Sequence, residues 1–303
     1  MIRGRCGAEP CPAANVQTTS VHRLLIRPGA IGDCILSLPE LESARADDKA
    51  LRVPRAPRSD AENKSRRTQL CADNLEVWVP RPLVRLIQFA DRVRAIPDTG
   101  LDLIGVADDP RSNACLRELA LFDSIYSWYG SNRPEFRDAV RHLPFTFFPA
   151  LPINVTRPPR ITVPAVPIEN FAVIHPFSGS AKKNWPLDLY RDLALRLNMP
   201  VKWCAGPSAD EALSESDSLG DAVRIADLYD LACWLAAARV YIGNDSGITH
   251  LAAAVGVPVV AIFLSTDPQV WAPRGDRVSV LENPDVDHVL AAVAATARPP
   301  FCD

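Results

Sequence analysis

The sequence predicts an α/β protein built from two doubly wound domains, each with a parallel sheet covered by helices on both faces. Apolar strand-like runs alternate with helical patterns along most of the chain, which is the order that produces a parallel sheet. The chain has 303 residues, of which 48% are hydrophobic, and this exceeds what one core usually organises. Three apolar runs end in loops of small and polar residues, where open α/β sheets bind ligands. We therefore expect two domains that face each other across a cleft.

Composition divides the chain into an arm, two domains and a linker. Residues 1–21 are expected to form a disordered arm. They are polar and lack the apolar segment of a secretory signal, so we do not expect them to be one. The first domain is predicted over residues 22–150, with residues 46–73 as an inserted loop, since they are charged and show no periodicity. The proline-rich residues 151–170 are predicted to be the linker, and residues 171–303 the second domain.

Hydrophobic periodicity predicts the elements of each domain in turn. In the first domain the pattern predicts strands at 23–28, 75–80, 91–96 and 122–128 and helices at 35–45, 82–90 and 116–122. In the second domain it predicts strands at 171–175, 201–205 and 223–225 and helices at 187–197, 208–219 and 228–238. Residues 241–264 then predict a strand, a tight Asp-Ser-Gly turn, an alanine-rich helix, a Gly-x-Pro stop and a second strand.

Charge and cysteine content exclude several classes of protein. The formal net charge is −3 and the sequence pI about 6.0, which leaves no general basic surface for nucleic acid. The 8 cysteines are scattered without a C-x-x-C pair, so we expect reduced thiols and no zinc site. The longest apolar run, residues 251–264, is broken by Gly256 and Pro258 and is too short to span a bilayer. We therefore expect a cytoplasmic protein that can make peripheral contact with the inner membrane.

The loop after the predicted strand at 241–244 has the features of an anion site. Gly243 and Gly247 allow a sharp turn and close approach to a ligand. The following helix begins here, so its free N–H groups and the positive end of its dipole face whatever lies beyond the strand. A phosphate group fits such a site. The alternative is that Asp245 or Ser246 only caps a helix that starts near Ile248.

Two more loops follow predicted strands in the same manner, and the three motifs together resemble one enzyme family. The motifs are Leu-Leu-Ile-Arg-Pro-Gly-Ala-Ile-Gly-Asp at 24–33, His-Pro-Phe-Ser-Gly-Ser-Ala-Lys-Lys-Asn-Trp-Pro at 175–186, and Gly-Asn-Asp-Ser-Gly-Ile-Thr-His-Leu-Ala-Ala-Ala at 243–254. They resemble glycosyltransferase family 9, the heptosyltransferases of lipopolysaccharide core assembly, as does the segment at 263–273. The resemblance implies a GT-B fold, in which two Rossmann-like domains face a cleft, and an inverting reaction.

The resemblance also assigns a donor-binding set in the second domain. It places Ser178 and Lys183 at the phosphates of a nucleotide-sugar and Asp245 at its sugar. The rest of the expected donor-binding set is Gly179, Ser246, Gly247, Thr249 and His250. At Ser208 the family commonly has a glutamate that contacts the ribose, and this chain departs from that pattern.

No metal or other cofactor is expected at this site. The Asp-x-Asp pair of the sequence, Asp285 and Asp287, precedes a short apolar helix and is predicted to cap it. Lys183, nearby hydroxyl groups and the helix N-terminus can supply positive charge and N–H donors to a diphosphate without an ion.

Asp33 is the candidate general base of the first domain. The resemblance places this aspartate close to the acceptor, opposite the donor phosphates. The alternative interpretation is an N-cap of a helix that starts at Cys34 or Ile35, and both roles can hold at once. On the acceptor side we also expect Arg27, Tyr129, Asn132 and Arg133, for which capping and packing are the alternative roles.

Two functions remain open from the sequence. The first is an inverting, metal-independent glycosyltransferase that moves heptose or a related sugar from an ADP-sugar to a lipid-linked saccharide of lipopolysaccharide-core type. The second is a nucleotide-sugar-binding protein of the same fold whose catalysis is impaired by the interruption at residues 46–73. The joint presence of Asp33, Lys183 and Asp245 favours the first.

Overall fold

The computed structural model describes residues 21–46, 74–106, 108–149, 157–206, 219 and 221–299. Within these ranges the chain forms two parallel sheets with helices on both faces. The predicted α/β class is therefore confirmed. Almost all of the predicted arm and of the inserted loop, and most of the helix at 208–219, lie outside the described residues. The exact domain and linker boundaries stay predictions.

The first sheet has the order β3-β2-β1-β4-β5, and all of its described strand pairs are parallel. Its elements are β1 (His22–Ile26), α1 (Ile31–Ala46), β2 (Asn74–Val79), β3 (Arg92–Ala95), α2 (Pro110–Leu119), β4 (Ser124–Ser127), α3 (Pro134–Ala139) and β5 (Phe145–Phe147). Short 3-10 turns occupy Arg81–Leu86, Ile96–Asp98 and Leu101–Leu103. The strand order reverses between β1 and β4, so the loops after these two strands flank the crevice where such sheets bind ligands.

The second sheet has the order β11-β10-β9-β6-β7-β8 and is also parallel in its described pairs. Its elements are β6 (Ala172–His175), α4 (Leu187–Arg196), β7 (Val201–Ala205), β8 (Val223–Arg224), α5 (Leu228–Ala236), β9 (Val240–Asn244), α6 (Gly247–Ala254), β10 (Val259–Phe263), α7 (Pro268–Trp271), β11 (Val278–Glu282) and α8 (Val286–Thr296). A 3-10 turn at Ala181–Lys183 follows β6. Here the order reverses between β6 and β9, which places the loops after them side by side.

One hydrophobic core joins the two sheets. Ile35 and Leu38 on α1 belong to the same buried cluster as Leu231 on α5 and Ile248 on α6. Two further clusters fill the outer faces, one behind each sheet. Because α1 packs directly on α6, the loops at the starts of both helices meet at the domain junction.

Polar contacts secure the same junction around the linker. Gln88 exchanges two hydrogen bonds with the backbone of Thr162, at 2.7 and 2.8 Å, and the N–H of Ile161 donates to the carbonyl of Ala254 at 3.0 Å. Arg85 forms ion pairs with Asp227 at 2.7 Å and with Asp230 at 2.9 Å, at the start of α5. The described part of the linker is therefore attached to both domains.

Several predicted boundaries were wrong for identifiable reasons. Helix α1 begins at Ile31 and not at Ile35, so Asp33 lies inside its first turn. Helix α2 begins at Pro110, because Asp109 accepts a hydrogen bond from Arg111 N at 2.7 Å as its N-cap and proline favours the first helical position. The segment predicted as a helix at 82–90 is a 3-10 turn, and α3 and β5 were not predicted.

Candidate functional site

The loop after β6 is ordered by hydrogen bonds of Ser178. Its hydroxyl donates to the carbonyl of Ser180, 2.9 Å away, and lies 2.7 Å from Asn184 Oδ1. A Cβ added to Gly179 would meet nothing within 4 Å, so the backbone is open to a ligand at that point. The following 3-10 turn ends with Lys183, which projects from this loop toward β9.

Asp245 is held by groups from two other loops. Lys183 Nζ lies 2.7 Å from Asp245 Oδ2, and the hydroxyl of Thr266 donates to the same oxygen at 2.7 Å. Asp245 is buried, whereas the Lys183 side chain remains 31% exposed. The ammonium group therefore sits at the edge of the site, where a ligand can reach it.

Ser246 is the N-cap of α6, as one alternative predicted. It has extended backbone angles, and its hydroxyl accepts a hydrogen bond from Thr249 N at 3.4 Å. Asp245 does not share this role, because its carboxylate contacts Lys183 and Thr266 instead. The start of α6 therefore presents backbone N–H groups and a helix dipole next to the lysine, which is the arrangement that favours a phosphate.

His250 is buried in the first turns of α6 beside Asp245. Its Nε2 lies 3.9 Å from Asp245 Oδ1, and its Nδ1 has no hydrogen-bond partner among the described residues. Burial lowers the pKa of His250 to about 4; the charge of Asp245 opposes this shift, while Lys183 and Arg274 add to it. The imidazole is therefore neutral near pH 7.

Asn244 fastens the loops around the site and was missed by the sequence analysis. Its Oδ1 accepts from Trp185 N and from the Tyr190 hydroxyl, each at 2.9 Å, and its Nδ2 donates to the carbonyl of Pro176 at 2.6 Å. Its place inside the Gly-Asn-Asp-Ser-Gly motif was the available signal. Thr266 was missed as well, although it lies in the motif at 263–273.

Asp33 occupies the third position of α1, and the predicted N-cap role is wrong. The residue before the helix is Ala30, whose N–H donates to Asp33 Oδ2 at 3.2 Å. A carboxylate at the third helical position that accepts from the N-cap N–H forms one half of a capping box. Asp33 thus stabilises the helix start from within, and its side chain is half-buried.

Glycines bring the starts of α1 and α6 into contact. A Cβ added to Gly247 would lie 2.6 Å from Ile31 Cβ, and one added to Gly32 would lie 2.8 Å from His250 Cδ2. These distances are too short for real Cβ contacts. The two helix starts can therefore approach this closely only because Gly32 and Gly247 have no side chains. Asp33 directly follows Gly32, the residue of the first domain that meets His250.

The loop after β4 carries three of the predicted acceptor-side residues. Arg133 donates to the hydroxyl of Tyr129 and its guanidinium lies 5.3 Å from the centre of that ring. Burial and the nearby Asp102 raise the pKa of Tyr129 to about 12. Asn132 is exposed between them. This loop adjoins the loop of Asp33, because β4 pairs with β1.

The prediction that Arg27 contacts the acceptor was wrong. Its side chain is 1% exposed, and its guanidinium donates to Ser37, to Pro28 and to the carbonyl of Asp33. A group so enclosed has no surface to offer an acceptor, so Arg27 belongs to the support of the site.

The described residues contain no cluster of three or more His, Cys, Asp or Glu side chains that could hold a metal ion. Asp285 caps α8, as predicted, by accepting a hydrogen bond from His288 N at 2.9 Å. Among the helices that the structure describes, none has the length and apolar character needed to cross a membrane.

Comparison with known proteins agrees with this geometry. Residues 156–293 match the model of "Glycosyltransferase family 9 (heptosyltransferase)". This segment, slightly less than half of the chain, is similar to glycosyltransferase family 9. The match contains all of the predicted donor-side residues, from Ser178 to His250.

Solved structures extend the likeness to both domains. Escherichia coli ADP-heptose lps heptosyltransferase II has a TM-score of 0.63 at 16% identity, over 91% of this chain and 98% of that one. E. coli heptosyltransferase WaaC with ADP has a TM-score of 0.60 at 14% identity, over 91% of this chain and 100% of that one. At such identities the likeness shows the fold alone, and this fold is the predicted GT-B arrangement.

A curated Haemophilus influenzae protein, described by its name as a glycosyltransferase, is 29% identical over 116 residues. The match covers 34% of this chain and 34% of that protein, so the chain spans about a third of this relative's length.

Proposed function

We propose that the chain transfers heptose or a related sugar from an ADP-linked donor to a lipid-linked saccharide of lipopolysaccharide-core type. The observation that carries the proposal is the pairing of Lys183 with Asp245 at the start of α6, next to the first turn of α1 with Asp33. The family 9 match covers the donor side of this arrangement. Names of similar structures that mention ADP or ADP-heptose support the choice of nucleotide and sugar.

The donor diphosphate would be neutralised by the protein alone. Lys183 supplies a partly exposed cation, and the α6 N-terminus adds N–H donors and a positive dipole end. A charge-assisted hydrogen bond from lysine to a phosphate is stronger than a neutral one. Asp245 would then release Lys183 to the phosphate and accept hydrogen bonds from hydroxyl groups of the sugar. No divalent ion is needed in this scheme.

Transfer would proceed by direct attack of the acceptor. Asp33 accepts the proton of the acceptor hydroxyl, whose oxygen forms the new bond to the anomeric carbon. The bond between that carbon and the diphosphate oxygen breaks, and the departing charge remains with ADP beside Lys183 and α6. One displacement of this kind inverts the anomeric centre. The close contact of α1 with α6 favours this enzyme over the alternative of a binding protein with a damaged first domain.

The acceptor side would be formed by the loop after β4, where Tyr129, Asn132 and Arg133 lie. Arg133 is half-buried against the Tyr129 ring and would meet an anionic or hydroxyl group of the acceptor. A lipid-linked acceptor would bring the chain to the cytoplasmic face of the inner membrane as a peripheral protein.

Donor binding tests this function directly. The melting temperature is measured with ADP-, UDP- and GDP-sugars, each with and without EDTA. An ADP-sugar at about 100 times its dissociation constant is expected to add ~2.7 kcal/mol of stability. The gain is expected to survive EDTA. A gain that vanishes with EDTA would contradict the metal-free scheme, and no gain with any of the sugars would contradict the function.

Lys183→Ala identifies the binding site in the same assay. Removal of the ammonium group is expected to weaken donor binding at least tenfold, since such a bond contributes about 1.5–3 kcal/mol. Lys182→Ala is the matched control, because Lys182 is the preceding residue of the same turn but is exposed. Equal donor affinities of the two variants would remove Lys183 from the site.

A further inference from the structure

A second cavity lies at the domain junction, between the linker and the segment that follows α7. Its volume is about 380 Å³, which is within the range of small-molecule pockets. The linker contributes Arg157 and Pro158, the segment 272–275 contributes a second arginine, and β11 closes one side. Neither Asp33 nor any residue of the predicted donor-binding set lines this cavity. It is therefore separate from the site described above.

Apolar side chains form most of the cavity lining, namely those of Pro158, Ala272, Pro273, Val278 and Val280. The two valines pack against the hydrophobic core that joins the two domains but are only partly buried. They remain accessible because β11 is the edge strand of the second sheet. A ligand with an apolar part would cover this incompletely buried surface.

Arg157 is attached to the first domain through one nitrogen of its guanidinium. Nη2 lies 3.0 Å from the carbonyl oxygen of Pro39, 3.1 Å from Glu42 Oε2 and 3.1 Å from Ser43 Oγ, all on α1. Its Nε and Nη1 make no hydrogen bond to any part of the chain that the structure describes, and the side chain is 52% exposed. These two nitrogens remain available as donors to a ligand in the cavity.

Arg274 lines the same cavity from the second domain and is also attached through one nitrogen. Its Nη2 donates to the carbonyl of Gln269, within α7, at 2.9 Å. Arg274 forms no ion pair with a carboxylate among the described residues, since the nearby Asp276 is paired with Arg160 at 2.9 Å. Its Nε and Nη1 are therefore donors without a partner in the described part of the chain.

The two guanidinium groups give the cavity an excess of positive charge. Glu42 offsets the charge of Arg157, whereas the charge of Arg274 is not offset by any described carboxylate. His250, which adjoins this segment, is neutral near pH 7, because burial lowers its pKa to about 4 and the charge of Arg274 adds to that shift. Guanidinium groups bind phosphate through paired hydrogen bonds, and a phosphate monoester carries a charge of about −1.5 to −2 at pH 7. The charge and the lining thus match an anion joined to an apolar group.

We propose that this cavity binds a phosphate monoester carried on a short apolar chain. The unoccupied nitrogens of Arg157 and Arg274 hold the phosphate, and the proline and valine side chains cover the apolar chain. Arg157 is attached to α1 and Arg274 to the second domain, so the bound phosphate joins the two domains. The proposal does not depend on sugar transfer, because none of the residues that it uses belongs to the proposed donor or acceptor side.

Binding of hexyl phosphate to the full chain tests the ligand class. Isothermal titration calorimetry at low ionic strength compares hexyl phosphate with inorganic phosphate and with hexanol. Hexyl phosphate is expected to bind at least tenfold more tightly than inorganic phosphate, because burial of two methylene groups is enough for such a factor. It is expected to bind at least tenfold more tightly than hexanol, which has no charge for the guanidinium groups.

Arg157→Gln and Arg274→Gln test the location of the site. Each variant is expected to bind hexyl phosphate at least tenfold more weakly than the wild type, since each loses a charge-assisted hydrogen bond. Arg160→Gln and Arg277→Gln are the matched controls, because these arginines lie on the same linker and the same segment but do not line the cavity. The controls are expected to change the affinity less than threefold. Thermal unfolding verifies the fold of each variant, and if one cavity variant does not fold the other decides.

Vesicles distinguish two sources of the phosphate. Phosphatidylcholine vesicles with and without phosphatidic acid compete with hexyl phosphate for the wild-type chain. Displacement only by the vesicles that contain phosphatidic acid identifies a lipid headgroup as the ligand, and displacement by neither identifies a soluble phosphate ester. Both outcomes support the phosphate site.

Equal affinity of the wild type and both cavity variants for hexyl phosphate would overturn the proposal. Equal losses in the cavity variants and in the controls would do the same, because they would reflect net charge and not this cavity. Hexanol that binds as tightly as hexyl phosphate would exclude a phosphate site, and inorganic phosphate that binds as tightly would exclude the apolar part of the ligand.

Discussion

Three neighbouring side chains at the start of α6 influence each other's charge, namely those of Asp245, Lys183 and His250. The carboxylate is paired at 2.7 Å with the ammonium group, while the imidazole 3.9 Å away is neutral because it is buried. A neutral His250 therefore adds no positive charge beside the Lys183–Asp245 pair.

The buried imidazole makes the stability of the protein depend on pH. Since the pKa of His250 is lowered from 6.5 to about 4, the unfolded chain binds a proton in this window and the folded chain does not. Stability is therefore expected to fall as the pH drops from about 6.5 to 4, and His250→Gln should remove this part of the loss. Between pH 7 and pH 5 the wild type is expected to lose up to about 2 kcal/mol more than the variant in urea unfolding.

The exposed His142 provides the control for this experiment. His142→Gln should leave the pH dependence of the wild type unchanged. If His250→Gln and the wild type lose stability in parallel, His250 is not buried as a neutral group.

Residue types at this site could be predicted from the motifs, but their contacts could not. Lys183 and Asp245 were both expected at a donor, yet they lie 62 positions apart and nothing in the sequence says that they pair. Arg27, which belongs to the motif at 24–33, was expected on the acceptor side. Its burial depends on Ser37 and Trp128, which only the folded chain brings together.

At the scale of elements, the junction of α1 with α6 determines the geometry of the site. Both helices start at the carboxyl ends of strands next to a reversal of strand order, so each points its N-terminus at the junction. Gly32 and Gly247 allow these ends to touch. The motifs contain both glycines. The sequence does not show which surface each glycine packs against, because the partner helix lies in the other domain.

Gly247→Ala is expected to separate these helices. The added methyl group would overlap Ile31 at 2.6 Å, and both lie on backbone that cannot move far. Such overpacking typically costs about 1–3 kcal/mol of folding stability. Thermal unfolding measures the loss, with Gly179→Ala as control, since a Cβ there meets nothing within 4 Å and should change stability by less than about 0.5 kcal/mol. Equal stability of the two variants would mean that α1 and α6 do not pack as described.

The predicted element boundaries were wrong where capping groups, and not the hydrophobic periodicity, determine where a helix begins. Proline at position 110 and its capping aspartate set the start of α2 six residues before the predicted one. The third-position carboxylate of Asp33 stabilises an α1 that begins before the apolar pattern does. The alternation of strand and helix patterns, by contrast, predicted β6, β7, β9 and β10 and the described helices α4, α5 and α6 with small errors.

For the whole molecule, the shared core explains why both domains contribute to one site. The cluster that contains Ile35 and Ile248 joins α1 to α6, and the linker residues 161 and 162 bond to both domains. The two-domain α/β architecture was predictable from length and alternation. The close apposition of the domains was not, because it depends on contacts between residues more than 200 positions apart.

The central claim is that the second domain holds the donor while Asp33 of the first domain accepts the proton. Asp33→Asn tests it most directly, because asparagine keeps the shape of the side chain and can still accept the Ala30 hydrogen bond. Transfer rate and donor affinity are measured on the same variant, with an ADP-sugar and a saccharide acceptor. Turnover is expected to fall by about a hundredfold or more while donor affinity stays that of the wild type. Wild-type turnover, or a loss of donor binding equal to the loss of rate, would contradict the account.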